Sequence, residues 1–171
     1  MNAGTRRERL MELLEGAEGP VSAAALARTL SVSRQIIVGD IALLRAAGKD
    51  ITATPRGYVL ERGTSGEERT VACRHTTLED MADELNIMVD NGCTVVNVIV
   101  EHRVYGQLVG QLNLSSRYDV SEFIQKVVTN GAKPLSDLTG GIHLHTIRCP
   151  DEQTFQRVRE ALRQAKFLLD M

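Results

Sequence analysis

The sequence contains no tryptophan, and tyrosine and phenylalanine contribute only three residues each. Sheets that bind RNA stack bases on aromatic side chains, so this composition argues against such a platform. Cysteine is scarce as well: Cys73, Cys93 and Cys149 are widely spaced and form no CxxC pair. We therefore expect three reduced thiols and no disulfide framework.

Long apolar runs are also missing. No stretch reaches membrane-spanning length and the first residues show no signal-peptide pattern, so we expect a cytoplasmic protein without a membrane partner. Neither sign of charge dominates, since the net charge is −2. Through residue 62, nine Lys/Arg against seven Asp/Glu give +2, and the remaining eleven against fifteen give −4. A mildly basic first part suits a nucleic-acid-binding domain attached to something else.

The first 60 residues have the pattern of three helices followed by a hairpin. Thr5 is a candidate N-cap for the first helix, with Glu8 completing a capping box, and Gly48 ends the third helix. The predicted elements are helices over residues 5–15, 23–30 and 34–47 and strands over residues 51–54 and 57–60.

A short helix, a three-residue turn and a helix that opens with Ser33, Arg34 and Gln35 form the helix-turn-helix pattern. Arginine and glutamine read guanine and adenine with two hydrogen bonds, so Arg34 and Gln35 are predicted to contact bases. Ser33 is the predicted N-cap of the third helix and is also predicted to contact a phosphate. The hairpin would be a wing with Arg56 at its tip, placed for the minor groove or a phosphate. The alternative is a three-helix domain that binds a protein or has no partner.

The segment VSRQIIVGDIALLRAAGKDITATPRGYVL resembles the winged helix-turn-helix of the biotin-repressor type. The resemblance covers about the first 60 residues and implies DNA binding. Gly39 departs from the pattern, in which a larger polar residue is more usual. Glycine costs about 1 kcal/mol of helix propensity and offers no side chain to a base, so Gly39 bears on the choice of operator.

Residues 61–68 are polar, contain glycine and lack periodicity, which predicts a linker between domains over residues 1–62 and 69–171. Beyond it the elements follow the order β-α-β-β-α-β-α. This order predicts an α+β domain of the ferredoxin-like, split βαβ type with an added helix, whose first and last strands lie close to the centre of the sheet. The predicted strands are 70–75, 94–101, 107–114 and 142–149, and the helices are 78–90, 117–128 and 151–165.

Three histidines fall where this topology would bring them together. His143 and His145 alternate along the last strand and therefore share a face, and His75 ends the first strand. Three imidazoles and one carboxylate would suit Zn²⁺, Ni²⁺, Fe²⁺ or Mn²⁺. The bland alternative is histidines on a solvated face. The helix after His75 offers the candidate carboxylates Glu79, Asp80, Asp83 and Glu84.

The fourth histidine, His102, ends the second strand of this domain at a turn. It either lines a ligand pocket or only orients the turn by hydrogen bonds. Arg117 and Lys133 would pair with an anionic effector or are ordinary surface charges.

A set of short motifs makes the second half specific. These are Val100-Glu101-His102, Val104-Tyr105-Gly106, Leu112-Asn113-Leu114, Ser116-Arg117-Tyr118-Asp119-Val120, Lys133-Pro134-Leu135-Ser136, Leu138-Thr139-Gly140-Gly141 and His143-Leu144-His145-Thr146-Ile147. Together they resemble the three-histidine (3H) domain. With the winged helix in front, residues 5–170 resemble the bacterial nicotinate-responsive repressors of NAD biosynthesis and niacin uptake genes.

The resemblance implies one divalent transition metal (Ni, Zn or Fe) held by three histidines and a glutamate. His75, His143 and His145 match directly. Glu84 matches because the helical glutamate of the pattern precedes a leucine, although the variable stretch after His75 leaves Asp80 or Asp83 as alternatives. The candidates for binding the effector are His102, Tyr105 and Arg117.

The expected function is that of a homodimeric repressor that binds operator DNA with nicotinic acid (or nicotinamide) as co-repressor, bound at or beside the metal. An enzyme is not expected, because no carboxylate is placed as a general base beyond the proposed ligand. The alternatives are a metal-responsive regulator without niacin sensing and a metallohydrolase fused to a DNA-binding domain.

Overall fold

The computed structural model describes residues 1–61 and 66–170, and the contacts divide the chain into two units, Met1–Thr64 and Ser65–Met171. The predicted linker over residues 61–68 lies partly outside the described residues. Within the described ranges, no helix combines the length and apolar character needed to cross a bilayer.

The first unit is a three-helix domain with a hairpin, as predicted. Its core is formed by Leu10, Leu14, Leu26, Ile37 and Ile41, all of which are buried. Its elements are helices α1 (Ala3–Gly16), α2 (Ala23–Leu30) and α3 (Arg34–Ala46) and the antiparallel strands β1 (Ile51–Thr54) and β2 (Gly57–Leu60).

The predicted N-cap of α1 was wrong. The cap is Asn2, whose side chain accepts a hydrogen bond from the backbone N–H of Thr5 at 2.9 Å. Asparagine is at least as good an N-cap as threonine. With Asn2 as the cap, α1 begins at Ala3, whereas a cap at Thr5 would have placed its first residue at Arg6. The cap of α3 was predicted correctly, since the Ser33 hydroxyl accepts from the N–H of Ile36 at 3.3 Å.

Gly57 fixes the hairpin against the start of α2. Its φ of +134° lies in the region that favours glycine, and a Cβ there would collide with the backbone of Val21. The close approach lets Val21 and Tyr58 exchange two backbone hydrogen bonds, of 2.9 and 2.8 Å. The hairpin is therefore part of the domain rather than a free loop.

The second unit has the predicted element order with one addition, a short 3₁₀ helix at Leu135–Thr139. Its strands are β3 (Glu67–Arg74), β4 (Thr94–His102), β5 (Gly106–Leu114) and β6 (Ile142–Cys149). Its helices are α4 (Leu78–Asp90), α5 (Arg117–Thr129) and α6 (Glu152–Gln164).

The α+β class and the order of elements along the chain are as predicted, but the order of the strands in the sheet differs from the ferredoxin-like order that was expected. The sheet is antiparallel throughout, and its strands are ordered β3-β6-β4-β5. The first strand, β3, is therefore an edge strand, whereas the last strand, β6, is central beside β4. The connections β3-α4-β4 and β5-α5-β6 each join two strands with one other strand between them, as they do in the ferredoxin-like fold. The order of elements along the chain is the same in both folds and could not distinguish their strand orders. The physical reason lies in β3, whose first half carries Glu67, Glu68 and Arg69. Charged side chains of this kind are typical of an exposed edge.

The histidine strand alternates in burial along its whole length. His143, His145, Ile147 and Cys149 are buried, whereas Ile142 is 49% exposed. Ile147 and Cys149 belong to the core that the helices form on one face of the sheet. The alternation therefore directs both histidines toward the helix layer.

Candidate metal centre and nucleic-acid interface

Glu84 is the centre of the cluster. It lies on the face of α4 that packs on the sheet, between Met81, Leu85 and Met88, and is 0% exposed. Its Oε2 lies 2.9 Å from Nδ1 of His75. Its Oε1 lies 2.7 Å from Nε2 of His143 and 2.8 Å from Nε2 of His145. One buried carboxylate thus contacts three imidazoles that are distant in sequence.

The orientation of two rings is fixed by backbone carbonyls. Nδ1 of His143 lies 2.8 Å from the carbonyl oxygen of Gly141, and Nδ1 of His145 lies 2.8 Å from that of Asn97. A carbonyl can only accept, so each Nδ1 carries its proton. In the neutral imidazole the Nε2 atom then presents a lone pair, and both lone pairs face Glu84.

Two acceptors cannot face each other without a positive charge between them. Protons can supply that charge. Burial raises the pKa of Glu84, but the hydrogen bonds from His143, His145 and His75 outweigh it and hold that pKa far below its ordinary value. Burial likewise lowers the pKa of His143, and the hydrogen bond and charge of Glu84 reverse this into a raised pKa. The carboxylate is therefore an anion and His143 tends to be protonated.

A divalent cation would satisfy the same arrangement. With Nδ1 held by a carbonyl, Nε2 of His143 and of His145 is the free ligand atom, which is how histidine ligands are commonly prepared. His75 offers Nδ1, while its Nε2 lies 3.2 Å from the hydroxyl of Ser136. Three oriented nitrogens and a carboxylate form a donor set suited to Zn²⁺, Ni²⁺ or Fe²⁺.

A buried thiol, Cys73, which was not among the predicted ligands, lies beside this cluster. A donor atom each from Cys73, Glu84 and His143 all lie within 4.8 Å of one another. The i, i+2 spacing of Cys73 and His75, at the end of β3 and directly after it, was a usable signal, because extended backbone places such side chains on the same side.

The alternative ligands Asp80 and Asp83 line a cavity of about 710 Å³ beside the cluster. His75, Asn86, Arg117 and Lys166 are also in its wall. Arg117 forms an exposed, bidentate ion pair with Asp90, in which Nε donates to Oδ1 at 2.8 Å and Nη2 donates to Oδ2 at 2.6 Å. Of the predicted effector residues, Arg117 thus lines the same cavity as a histidine of the cluster.

His102 and Tyr105 lie elsewhere, at the turn between β4 and β5. Nδ1 of His102 accepts the backbone N–H groups of Val104, at 3.1 Å, and of Tyr105, at 3.3 Å. These bonds match the turn-orienting alternative, and a role of either residue in effector binding stays a prediction.

The residues of the first unit that were predicted to contact DNA are accessible to solvent. Ser33, Arg34 and Gln35 are exposed at the N-terminus of α3, and Arg56 occupies the turn between β1 and β2. Two apolar side chains of α3 were not singled out from the sequence: Ile36 is 41% exposed and Leu43 is 57% exposed. Apolar side chains on a recognition helix can contact the methyl group of thymine.

The fold and these residues define a DNA-binding regulator joined to a histidine-rich domain. Residues 6–59 match the model of a helix-turn-helix (HTH) domain, and residues 68–171 match that of the 3H domain. The chain is 48% identical over 168 residues to "Probable transcription repressor NiaR" of Thermotoga maritima, covering 96% of this chain and 95% of the relative. It is 40% identical over 168 residues to "Transcription repressor NadR" of Bacillus subtilis, covering 96% and 93%.

The chain therefore belongs to the 3H-domain family of transcription repressors, and the resemblance drawn from its motifs is confirmed. It is a DNA-binding repressor with a winged helix-turn-helix in front of the 3H domain. The relatives are named as regulators, and neither name is that of an enzyme.

Proposed function

We propose that this repressor controls genes of NAD biosynthesis or niacin uptake and that nicotinic acid, or nicotinamide, is its co-repressor. The observation that carries the proposal is the cluster of three imidazoles around the buried Glu84, in a chain that also presents an exposed recognition helix. A buried, charged cluster of this kind is costly to fold and is most simply kept for a ligand.

The metal belongs to the same proposal. His75, Glu84, His143 and His145 would hold one divalent ion, and the carbonyls of Gly141 and Asn97 would keep two of the rings in the ligating tautomer. A bound divalent ion would supply an electrophilic centre that accepts a carboxylate or a pyridine nitrogen.

The cavity beside His75 supports a small anionic effector. At about 710 Å³ it has ample room for a pyridine carboxylate, and Arg74, Arg117 and Lys166 in its wall carry positive charge. Asp80, Asp83 and Asp90 in the same wall oppose a polyanion. The wall thus carries three cationic and three acidic side chains, which suits a small ligand of low charge better than a polyanion.

We further propose that the repressor acts as a homodimer. A single winged helix reads one half-site, and two recognition helices related by a two-fold axis read half-sites about 34 Å apart in successive major grooves. Effector binding would favour the dimer geometry with that spacing.

The first step of the test is to select an operator sequence from a random DNA library with the protein. Duplexes that the metal-loaded protein retains from a random library in the presence of nicotinate are sequenced and labelled, and binding is measured by fluorescence anisotropy. The arms are nicotinate, nicotinamide and neither, each with metal and after chelation. We expect nicotinate to tighten operator binding by about 5- to 150-fold, and only when metal is present.

The outcomes separate the alternatives. If saturating nicotinate and nicotinamide leave operator affinity unchanged with metal present, the effector assignment is wrong. A metal-responsive regulator would instead change its affinity with metal concentration at any fixed nicotinate concentration. A metallohydrolase would turn over nicotinate derivatives, and we expect no turnover.

A further inference from the structure

Cys73 lies beside the cluster of three histidines and Glu84. It is 0% exposed and pairs directly with His143 in the register of β3 and β6. Directly opposed residues of antiparallel strands point to the same face of the sheet. The thiol therefore points into the helix layer, where Glu84 and the histidines meet.

The distances are close to those of a shared ion. The donor atoms of Cys73, Glu84 and His143 all lie within 4.8 Å of one another. An ion bonded to sulfur at about 2.3 Å and to nitrogen at about 2.1 Å holds those two atoms about 3.1 to 3.6 Å apart, for bond angles from octahedral to tetrahedral. A side-chain adjustment that closes the remaining gap would bring the thiol into bonding distance of a shared ion.

The other two thiols are placed differently. Cys93 and Cys149 interact with each other, at the opposite end of the strands, where Thr94 pairs with Arg148. Both are buried. Only Cys73 has a histidine and the central carboxylate as neighbours, so the chain carries its own internal controls.

We propose that Cys73 is a ligand of the metal, so that the donor set of this chain is three imidazoles, one carboxylate and one thiolate. The inference rests on the proposed metal-binding function. On binding, the S–H bond breaks, a sulfur–metal bond forms and the proton leaves to solvent, with no change of oxidation state.

A thiolate in the set has two consequences. Soft donors favour Zn²⁺, Ni²⁺ and Co²⁺ over Mg²⁺ and Mn²⁺, so Cys73 would determine which ion is held. With five donors from the protein, a six-coordinate ion would keep one open position. An effector that joins the ion would then do so through a single atom, either one carboxylate oxygen or the ring nitrogen.

Cobalt provides a readout that is independent of DNA binding. The full-length protein is stripped with a chelator, and Co²⁺ is added without oxygen while the absorption spectrum is recorded. A sulfur–cobalt bond gives an intense charge-transfer band in the near ultraviolet, whereas visible d–d bands report any cobalt bound in a fixed site. The proteins compared are the wild type, Cys73→Ser, and the double variant Cys93→Ser/Cys149→Ser, in which Cys73 is the one remaining thiol.

We expect the charge-transfer band in the wild type and the double variant, and its loss in Cys73→Ser with the visible bands retained. Cys73→Ser should also weaken Zn²⁺ binding at least about 10-fold with little effect on Mn²⁺. About one proton fewer should be released for each metal bound.

Each other outcome is decisive. Visible bands without a charge-transfer band in the wild type overturn the role of Cys73 and leave the metal proposal standing. A wild type with no cobalt-dependent bands overturns both. A band that disappears in a folded double variant assigns it to Cys93 or Cys149 and overturns the proposal. If the double variant does not fold, the two single variants replace it, because Cys73 is the thiol they share.

Discussion

Replacing Glu84 with glutamine tests the charge at the centre of the cluster. The change keeps the size and shape of the side chain and removes its negative charge. In the metal-free protein it leaves a protonated His143 buried without its counter-ion. Breaking a buried ion pair by removing one partner costs about 3–5 kcal/mol, which is the loss in free energy of unfolding that we expect at pH 6.

The pH dependence of that loss has a definite sign. The pKa of His143 is raised from its ordinary value of 6.5, so its contribution is complete below 6.5 and is lost as the pH rises through the raised value. The pKa of Glu84 is lowered from 4.5, so its contribution is complete above 4.5 and is lost only in strong acid. Both contributions are therefore complete between about pH 4.5 and 6.5.

Above pH 6.5 the wild type loses its advantage in free energy of unfolding over Glu84→Gln. The carboxylate then faces neutral imidazoles whose lone pairs repel it, whereas the glutamine amide can donate a hydrogen bond to one of them. We expect the difference between wild type and Glu84→Gln to fall below about 1 kcal/mol near pH 9. The metal-loaded wild type should show the opposite trend and gain stability with pH, because metal binding needs neutral imidazoles.

The measurement is urea unfolding of chelator-treated protein, followed by far-ultraviolet circular dichroism at pH 6 and pH 9. Glu79→Gln, on the exposed side of the same helix, is the matched control and should change stability little at either pH. A loss of equal size at both pH values for Glu84→Gln, or none at pH 6, would show that the imidazole–carboxylate interaction is not ionic.

Three further predictions concern single residues. Gly141→Ala should lower metal affinity and destabilise the 3H domain by more than about 2 kcal/mol, because its Cβ would collide with the carbonyl oxygen of His75. Gly140→Ala, also at positive φ but with nothing within 4 Å, is its control in metal titration and thermal unfolding. Ser33→Ala removes the cap of α3 and should cost about 1 kcal/mol of stability, measured by thermal unfolding against Ser31→Ala. Arg34→Ala should weaken operator binding by about 1–3 kcal/mol and relax preference at one base pair. An equal loss on every sequence would reassign Arg34 to a phosphate.

The parts of the fold that local sequence determines could be predicted to within a few residues. The caps Ser33 and Asp151 accept hydrogen bonds from the chain three residues on, so their signal lies in four consecutive residues. The order of the strands in the sheet depends instead on which strands, distant in sequence, pair with each other. The observed order and the ferredoxin-like order are both compatible with the same β-α-β connections. The charges of β3 indicated an edge strand, but only as a tendency.

The candidate centre shows the same division. The i, i+2 spacing of His143 and His145 predicts that they share a face, and the structure agrees. The choice of Glu84 among four acids needed the phase of α4, and the buried stripe of Met81, Leu85 and Met88 provides it. Cys73 was not identified, because its closeness to His143 arises from the pairing of β3 with β6, across 70 positions of sequence.

The segment from Ser136 to Gly141 contacts two histidines of the centre and contributes none of the proposed metal ligands. The carbonyl of Gly141 accepts from the backbone N–H of His75 at 3.3 Å and from the ring of His143 at 2.8 Å, so one peptide group orients residues from the edge strand and the central strand. The hydroxyl of Ser136 lies against the outer nitrogen of His75. A shift of this short segment would therefore move two imidazoles together, whereas a shift of α4 would move only the carboxylate. Because His75 follows the edge strand and His143 lies on the strand beside it, a ligand that displaced the segment would move two of the proposed donors without touching the ion.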